Sequence, residues 1–273
     1  MTALLTRSIV AFALVPALAI PTPASAQFRG LLGNLQDRVE REIDRRAQQP
    51  DEVTSPQAEE SGTSARLGVD AGFAFVPGET TLVEDDFDQT PVGAMSTSWK
   101  TNGSGAVVSV DSLEGRWLSL RSFATYKLVM PPELPEKFTV EFDIVLAADA
   151  SRDVSSIPFG FTVDNSVRSY VQDAHNDGGI AVVTLGPNGN STVSSSATKH
   201  YHSFDFDYRP YANRPMRVSV AVEGDSMQVY LDREKISDSQ LFRNNHIKYF
   251  FLSAPIRMRN GANVLFGNFR IGS

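Results

Sequence analysis

The stretch Phe138-Thr-Val-Glu-Phe-Asp-Ile144 decides the fold, because large apolar side chains occupy every second position. Such alternation is typical of a β-strand with one buried and one solvated face. The same pattern returns at 217–223, where three valines alternate with other side chains. A turn at Gly224-Asp-Ser226 leads into a further alternating stretch at 227–231, and another short strand begins at 235. These short strands predict an antiparallel meander.

Further strand-like stretches cover most of the chain beyond residue 73. They are Gly105–Val110, Arg116–Leu120, Phe159–Val163, Ser169–Gln172, Ile180–Leu185, His202–Tyr208, Lys248–Ser253 and Asn263–Ile271. Turn sequences such as Asn176-Asp-Gly-Gly179 separate them, and no stretch between them has a convincing helical period. We therefore predict one all-β domain at 73–273. Its length of about 200 residues favours a two-sheet jelly roll over a smaller seven-stranded sandwich.

The first 72 residues differ in character from the rest. Residues 1–26 indicate a secretory signal, with a single charge at Arg7, a short apolar run and a small-residue cleavage site at Ala24-Ser-Ala26. The apolar run is too short to span a bilayer, which disfavours a retained membrane anchor. Residues 27–48 carry apolar side chains at spacings of three and four, which predicts an amphipathic helix. Residues 49–72 are rich in Pro, Ser, Gln and Glu, which predicts a flexible linker.

The helix predicted at 27–48 is marginal by itself, so it needs a surface to pack on. Its apolar stripe favours packing against the folded domain or self-association with a second copy. Contact with membrane lipid or with an envelope partner is the alternative. Because the polar face carries both signs of charge, the helix lacks the basic excess that anionic lipid prefers.

The composition excludes several classes of protein. The 273 residues include no cysteine, which rules out disulfides, thiolate metal ligands and cysteine nucleophiles. A net charge of -7 argues against nucleic acid as a partner, since phosphate contacts need an excess of Lys and Arg. No apolar stretch beyond the signal approaches the length of a membrane span, so no transmembrane segment is expected in the mature chain. No nucleotide-binding motif is present, and no organic cofactor is predicted.

A set of short motifs is distributed from residue 75 to residue 271. They are Phe75-Val-Pro-Gly78, Glu84-Asp-Asp-Phe87, Trp99-Lys-Thr-Asn-Gly-Ser-Gly105, Gly115-Arg-Trp-Leu118, Leu134 to Asp143, and Gly267-Asn-Phe-Arg-Ile271. Together they resemble the N-terminal region of a group of OmpA-family, outer-membrane-associated proteins, which begin with a similar signal, helix and linker. The resemblance implies a concanavalin A/laminin-G-like sandwich in the cell envelope. In that family a peptidoglycan-binding domain follows the sandwich. Its anchoring residues have no counterpart before Ser273, so peptidoglycan anchoring is not expected.

The segment 199–211 is the best candidate for ligand binding, because it combines aromatic and charged side chains. On a strand, Phe204, Phe206 and Tyr208 would share one face. The two phenylalanines are expected to face the core, whereas tyrosines can line a groove that contacts the C–H faces of a sugar. The predicted ligand-binding residues are Tyr201, Tyr208, Tyr211, Asp205, Asp207, Arg209 and Trp99.

Acidic residues offer two other kinds of site. Asp85 and Asp86, with Asn268 on the last strand, supply oxygen ligands to a structural calcium ion in one interpretation and form a solvated turn in the other. Glu141 and Asp143 share a strand face, as in the acidic motif of jelly-roll glycoside hydrolases. Because Leu146 stands where that motif has its third acid, the catalytic pair is incomplete, and no catalytic residue is predicted.

The sequence therefore favours an exported, non-enzymatic binding module with glycan as its preferred ligand. The expected location is the periplasm, with outer-membrane association or secretion as variants. The first alternative is a structural envelope protein that binds other proteins, and the second is an atypical jelly-roll glycoside hydrolase. An aromatic groove rimmed by acids would favour glycan binding. A flat apolar patch would favour the structural protein, and facing carboxylates in a deep cleft would favour the glycoside hydrolase.

Overall fold

The computed structural model describes residues 73–244 and 248–273, the region in which the sequence predicts the β domain. The signal, the amphipathic helix and the linker predicted at 1–72 lie outside the described residues. Within the described ranges, no helix has the length and apolar character needed to cross a membrane. The helical elements of these ranges are two single 3-10 turns, Ser151–Asp153 and Arg209–Tyr211.

The described ranges consist mainly of short strands joined by turns and loops. The fifteen strands are β1 (Thr81–Asp85), β2 (Trp99–Thr101), β3 (Gly105–Val110), β4 (Leu113–Leu120), β5 (Thr125–Leu128), β6 (Lys137–Ala147), β7 (Ile157–Thr162), β8 (Gly179–Leu185), β9 (Ser191–Ser195), β10 (Tyr201–Phe204), β11 (Pro215–Glu223), β12 (Ser226–Leu231), β13 (Glu234–Gln240), β14 (Tyr249–Ser253) and β15 (Asn263–Gly272).

The strands form two antiparallel sheets. The eight-stranded sheet has the order β13-β12-β11-β6-β15-β4-β3, with β1 also paired to β15. The seven-stranded sheet has the order β10-β9-β8-β7-β14-β5-β2. The predicted meander, β11-β12-β13, lies at one edge of the first sheet, and β6 joins it with Phe142 opposite Val218. This all-β arrangement is consistent with the predicted jelly-roll sandwich.

A core of aromatic and branched side chains lies between the two sheets. The alternation in β6 places Phe138, Val140, Phe142 and Ile144 in this core, as predicted. The Phe142 ring lies 5.2 Å from that of Phe159 in β7, at an interplanar angle of 82°. Edge-to-face pairs of this kind add to the stabilisation from buried area. The strand that first indicates the fold therefore lies in the middle of the sandwich.

Most predicted strands are confirmed, and the differences have local causes. Gly105–Val110 coincides with β3. The stretch Ser169–Gln172 is not a strand but part of a long loop, and the strand predicted at His202–Tyr208 ends at Phe204. Strands β1, β2, β5 and β9 were not predicted, because they are short or polar; β9, for example, reads Ser-Thr-Val-Ser-Ser.

The first and last described segments pair with each other. Strand β1 lies antiparallel to the end of β15, with Thr81 opposite Gly272. One residue further out, Thr80 and Ser273 each donate a backbone N–H to the other's carbonyl at 2.9 Å. Residues 80 and 273 therefore lie side by side beyond the last rungs of this ladder.

One end of the sandwich, which we call the upper end, carries loops that connect the two sheets. The strand registers place there the end of β6 beside the start of β11, with Val145 opposite Pro215. They also place there the start of β9 beside the end of β10, with Ser191 opposite Phe204. The loops 121–124, 148–156, 205–214 and 254–262 connect the two sheets at the upper end, and the loop 186–190 joins β8 to β9 within the seven-stranded sheet.

Residues 163–178, which join β7 to β8, fold over the outer face of the seven-stranded sheet, and we call this segment the strap. The Val171 N–H donates to Thr125 Oγ1 at 2.9 Å, and the Ser253 hydroxyl donates to the Val171 carbonyl at 2.7 Å. The Val171 side chain also packs in a buried apolar cluster with Phe251. Two side chains of the sheet thus bind the strap backbone much as a neighbouring strand would.

A lysine is buried beneath the strap. Lys127 lies in β5 between Tyr126 and Leu128, which face the core, so its side chain points to the outer face. It is only 1% exposed. Its ammonium group donates to Thr162 Oγ1 at 2.8 Å and to the Asp164 carbonyl at 2.9 Å. Burial lowers the pKa of Lys127 to about 8, against the attraction of the Asp164 carboxylate, which raises it.

Candidate functional site

The predicted aromatic segment forms one wall of an open depression at the upper end. The start of β9, the end of β10, the loop 205–214 and the start of β13 surround a volume of about 410 Å³. The lining residues are Gly189, Ser191, Phe204, Asp205, Phe206, Asp207, Arg209 and Glu234. Three predicted ligand-binding residues, Asp205, Asp207 and Arg209, are thus brought together with two half-buried phenylalanine rings.

Tyr208 and Tyr211 support the depression from below and do not line it, which corrects their predicted place at the surface. Both side chains are buried. The Phe206 ring stacks on Tyr211 at 5.5 Å and meets Tyr208 edge-on at 5.0 Å. The Tyr208 hydroxyl lies 2.8 Å from Ser191 Oγ. Burial raises the pKa of both phenols to about 12, so both stay neutral near pH 7.

Asp232, in the turn between β12 and β13, ties the loop 205–214 to the eight-stranded sheet. Its carboxylate accepts hydrogen bonds from the Tyr211 hydroxyl at 2.7 Å and from the Arg217 backbone N–H at 2.8 Å. The Arg214 guanidinium lies 3.6 Å from the same carboxylate and 4.8 Å from the centre of the Tyr211 ring. These contacts fix Tyr211, and through it the Phe206 ring above.

Charged side chains form the rim of the depression. Arg209 donates two parallel hydrogen bonds to Asp207, from Nε and Nη2, each at 2.8 Å. These bonds lower the pKa of Asp207 to about 2. Because the pair is exposed, it sets the orientation of both groups more than it stabilises the fold. Asp205 and Glu234 are also exposed and form no ion pair within the described ranges.

Two predicted residues lie outside the depression. Tyr201 is 69% exposed at the far end of β10, opposite Ser194, whereas the depression begins at Phe204. Trp99 is 3% exposed and lies in the core, in the strand at the opposite edge of the seven-stranded sheet. Its indole Nε1–H donates to Asp85 Oδ2 at 3.0 Å. The expectation that Trp99 contacts a ligand is therefore corrected, because its ring has no free surface.

The remaining lining residues were not predicted to bind a ligand. Strand alternation assigned Phe204 and Phe206 to the core, but the strand ends at Phe204, and both rings become half-buried. Glu234 reaches the site from the other sheet. Ser191 and Gly189 come from the loop and strand that precede β10. Only long-range pairing brings these residues together, and no local pattern signals it.

The predicted calcium ligands each have a protein partner. Asp85 accepts the Trp99 indole hydrogen bond, and Asp86 Oδ1 accepts a backbone N–H two residues along the chain at 3.0 Å. The Asn268 amide donates to Asp143 Oδ2 at 2.7 Å. Across residues 73–244 and 248–273, no group of three or more His, Cys, Asp or Glu side chains is placed to hold a metal ion. The structure thus uses these side chains to fasten loops and strands.

Glu141 and Asp143 face the outside of the eight-stranded sheet, and each is paired with an arginine. Arg217 Nε lies 2.9 Å from Asp143, and Arg270 Nη1 lies 3.3 Å from Glu141. The pKa of Asp143 is raised, because desolvation outweighs the hydrogen bond from Asn268 and the charge of Arg217, which both lower it. Cross-strand pairs of opposite charge stabilise a sheet. The incomplete acidic motif therefore has a structural role here.

No protein-family model matches the chain, and no curated protein is similar to it. Among solved structures, the chain resembles the Emp47p carbohydrate recognition domain at 15% identity and a TM-score of 0.48, over 70% of this chain and 94% of that one. It resembles the carbohydrate-binding module CBM66 from Bacillus subtilis at 14% identity and a TM-score of 0.42, over 65% and 96% of the two chains. It also resembles a sialidase at 15% identity and a TM-score of 0.47, over 72% of this chain and 19% of that one. At this degree of likeness, function has to be argued from the site itself.

Proposed function

We propose that the protein is a non-enzymatic carbohydrate-binding module and that the depression at the upper end is its sugar site. The observation that carries this proposal is the run from Phe204 to Arg209, in which half-buried rings alternate with exposed charged groups around one open volume. A sugar presents apolar C–H faces and many hydroxyls. A site that mixes aromatic surface with charged hydrogen-bonding groups suits such a ligand.

Each group in the depression has a defined task with a sugar ring. Phe206 offers apolar surface, and its contact with Tyr211 fixes the ring before a ligand arrives, which lowers the entropic cost of binding. The carboxylates of Asp205 and Glu234 accept hydrogen bonds from hydroxyls. Arg209 donates to sugar oxygens from a guanidinium that its aspartate partner already orients.

The electrostatics of the site favour binding over hydrolysis. A glycoside hydrolase needs one carboxyl group with a raised pKa as general acid, facing a second carboxylate. The pKa of Asp207 moves the other way, because Arg209 holds its charged form. Burial raises the pKa of Asp143, but Asp143 and Glu141 lie on the outer face of the eight-stranded sheet, outside the depression, and each is paired with an arginine.

We further propose that the module belongs to the cell envelope, in the periplasm or at the outer membrane. The signal predicted at 1–26, the amphipathic helix at 27–48 and the polar linker at 49–72 support this proposal. The resemblance to the N-terminal region of OmpA-family proteins, with a concanavalin A-like sandwich, agrees with that layout. The helix would associate with an envelope protein or a second copy, and the linker would let the sandwich reach its glycan.

A panel of immobilised glycans, probed with the full-length protein, tests the carbohydrate proposal. We expect saturable binding to one glycan class. The same binding is expected in a chelator, since the predicted calcium ligands have protein partners. A folded protein that retains no glycan would refute the proposal and favour the alternative of a structural protein that binds other proteins.

Single substitutions test the position of the site. Asp205→Ala and Arg209→Ala should each weaken binding about tenfold, the usual effect of losing one hydrogen bond to a charged group. Tyr201→Ala is the matched control, because this side chain is exposed at the start of β10, the strand that leads into the loop 205–214, but lies outside the depression. If Tyr201→Ala reduced affinity as much as Asp205→Ala, the site would have been placed wrongly.

A further inference from the structure

A second surface at the upper end combines exposed apolar side chains with arginines. Phe123 is 58% exposed in the loop 121–124, and Ile256 is 41% exposed in the loop 254–262. These loops are neighbours, since the Phe123 N–H donates to the Pro255 carbonyl at 3.1 Å. We define the Arg–Phe patch as Arg121, Phe123, Ile256, Arg257 and Arg259.

The Phe123 ring is presented to solvent from a rigid base. Its backbone has a φ of 61°, which is rare for a bulky residue. The ring stacks on Tyr170 of the strap at 4.7 Å, with an interplanar angle of 12°. Tyr170 is itself buried, and its hydroxyl donates to the Ala254 carbonyl at 2.9 Å. Phe123 thus keeps an exposed apolar face in a fixed position, despite the strain and the hydration cost.

The three upper-end loops 121–124, 148–156 and 254–262 together carry an excess of unpaired positive charge. Their four exposed arginines form no ion pair within residues 73–244 and 248–273. The four are Arg121, Arg152, Arg257 and Arg259. The acidic residues of these loops are Asp149 and Asp153, and Asp153 Oδ1 accepts a hydrogen bond from Asn260 at 2.9 Å. In a chain with a net charge of -7, this local excess is the reverse of the average surface.

We propose that the Arg–Phe patch docks the protein on a bilayer surface rich in anionic lipid headgroups. A ring at headgroup depth gains apolar burial, and the surrounding guanidinium groups reach lipid phosphates. An acidic protein would also attract the arginines, but it would need a pocket shaped for Phe123, whereas a bilayer accepts the ring without one. Because the patch carries an excess of positive charge, we expect it to bind an anionic membrane and not a neutral one.

Membrane docking and sugar binding use different parts of the upper end. In the strand order β10-β9-β8-β7-β14-β5, the depression lies at β10, and Phe123 lies two residues before the start of β5. Five strand spacings separate them, or about 24 Å. The docking proposal therefore does not rest on the carbohydrate proposal, and either one can fail alone.

Co-sedimentation of the full-length protein with lipid vesicles tests the docking. We expect binding to phosphatidylcholine vesicles with about one-third phosphatidylglycerol, weakening with salt, and little binding to pure phosphatidylcholine. Asparagine tolerates the left-handed backbone at position 123, so Phe123→Asn should fold normally and bind the anionic vesicles about tenfold more weakly. Arg257→Gln should bind them about fivefold more weakly. The controls are Met130→Asn and Arg243→Gln, both exposed and outside the patch, and they should bind as wild type does.

A fluorescent variant gives a direct measurement at the patch. The Phe123→Trp variant adds one exposed tryptophan to the native Trp99 and Trp117, which are both buried. A blue shift of the tryptophan fluorescence on adding anionic vesicles therefore reports insertion of the side chain at position 123. Wild type and Phe123→Asn binding equally to the vesicles would overturn the proposal and assign membrane contact to another segment. A folded protein that ignores anionic vesicles would also overturn it. If that protein bound a soluble acidic polysaccharide instead, the arginines would be assigned to a glycan.

Discussion

Replacement of Lys127 by methionine should remove a pH dependence of stability that the wild-type protein shows at mildly alkaline pH. Lys127 is buried, and its pKa is about 8 in the folded protein against the ordinary value of 10.5. Between these two values, the unfolded chain holds a proton at this lysine that the folded chain has released. The free energy of unfolding of the wild type therefore rises with pH in this window.

The size of the rise follows from the two pKa values. With a folded pKa of about 8 and an unfolded pKa of 10.5, the linkage relation gives a gain of about 2 kcal/mol between about pH 7.5 and about pH 9.5. Methionine fills a similar volume without a charge. The Thr162 hydroxyl keeps its bond to the Asp164 carbonyl at 2.8 Å, so no buried donor is left without a partner. We therefore expect Lys127→Met to lack this gain.

Urea unfolding of both proteins at four pH values across this window measures the effect. Lys248, whose pKa burial also lowers, contributes equally to both proteins, so the difference between them isolates Lys127. The pH range over which stability rises is limited at its upper end by buried phenols such as Tyr126 and Tyr208, whose pKa values burial raises to about 12. Above about pH 10 the unfolded chain loses these protons first, and the free energy of unfolding falls.

Two results would refute this reasoning. The first is a wild-type free energy of unfolding that stays level or falls from about pH 7.5 to about pH 9.5. The second is a Lys127→Met variant whose stability rises with the same slope as that of the wild type. Either would mean that water reaches the Lys127 ammonium and that the strap does not exclude solvent.

Three further substitutions test other contacts. Asp85→Ala removes three hydrogen bonds, including the one from the Trp99 indole, and should lower the free energy of unfolding by about 3 kcal/mol in thermal or urea unfolding. Gly160→Ala would place a methyl group 2.0 Å from the Ala181 carbonyl oxygen, at a φ of 148°, and should cost more than about 3 kcal/mol; unchanged stability would contradict this packing. Thr125→Val removes an acceptor for the strap backbone and should speed amide hydrogen exchange in the strap, at a cost of only about 1 kcal/mol in overall stability; exchange as slow as in wild type would mean that other contacts hold the strap.

Alternation of side chains was sufficient to predict the centre of the fold. Strands β6, β11 and β12 each bury one face in the core, so apolar side chains occupy every second position in their sequences. The same rule fails at β5, where Lys127 interrupts the apolar pattern, and at Ser169–Gln172, where Tyr170 and Val171 are buried without forming a strand. In both cases the cause is the strap, which covers a sheet face that would otherwise meet water.

The candidate site was predictable only in part. Asp205, Asp207 and Arg209 are neighbours in the sequence, so their clustering follows from local order. The burial of Tyr211 depends on Asp232, which lies two strands further along the chain and supplies the acceptor for its hydroxyl. Glu234 follows Asp232 at the start of β13 and lies in the depression because the same turn brings it there. A single sequence carries no local signal for such contacts between sheets.

The pairing of Thr80 with Ser273 determines how the domain responds to mechanical force. Hydrogen bonds in an antiparallel ladder run perpendicular to the strands. A pull that separates residue 80 from Ser273 therefore acts along these bonds and opens the β1–β15 ladder one rung at a time, like a zipper. Because β15 also pairs with β6 and β4, the sandwich keeps its shape while β1 peels away. Strand β1 would therefore detach at low force and lengthen the chain before the force acts on the aromatic core.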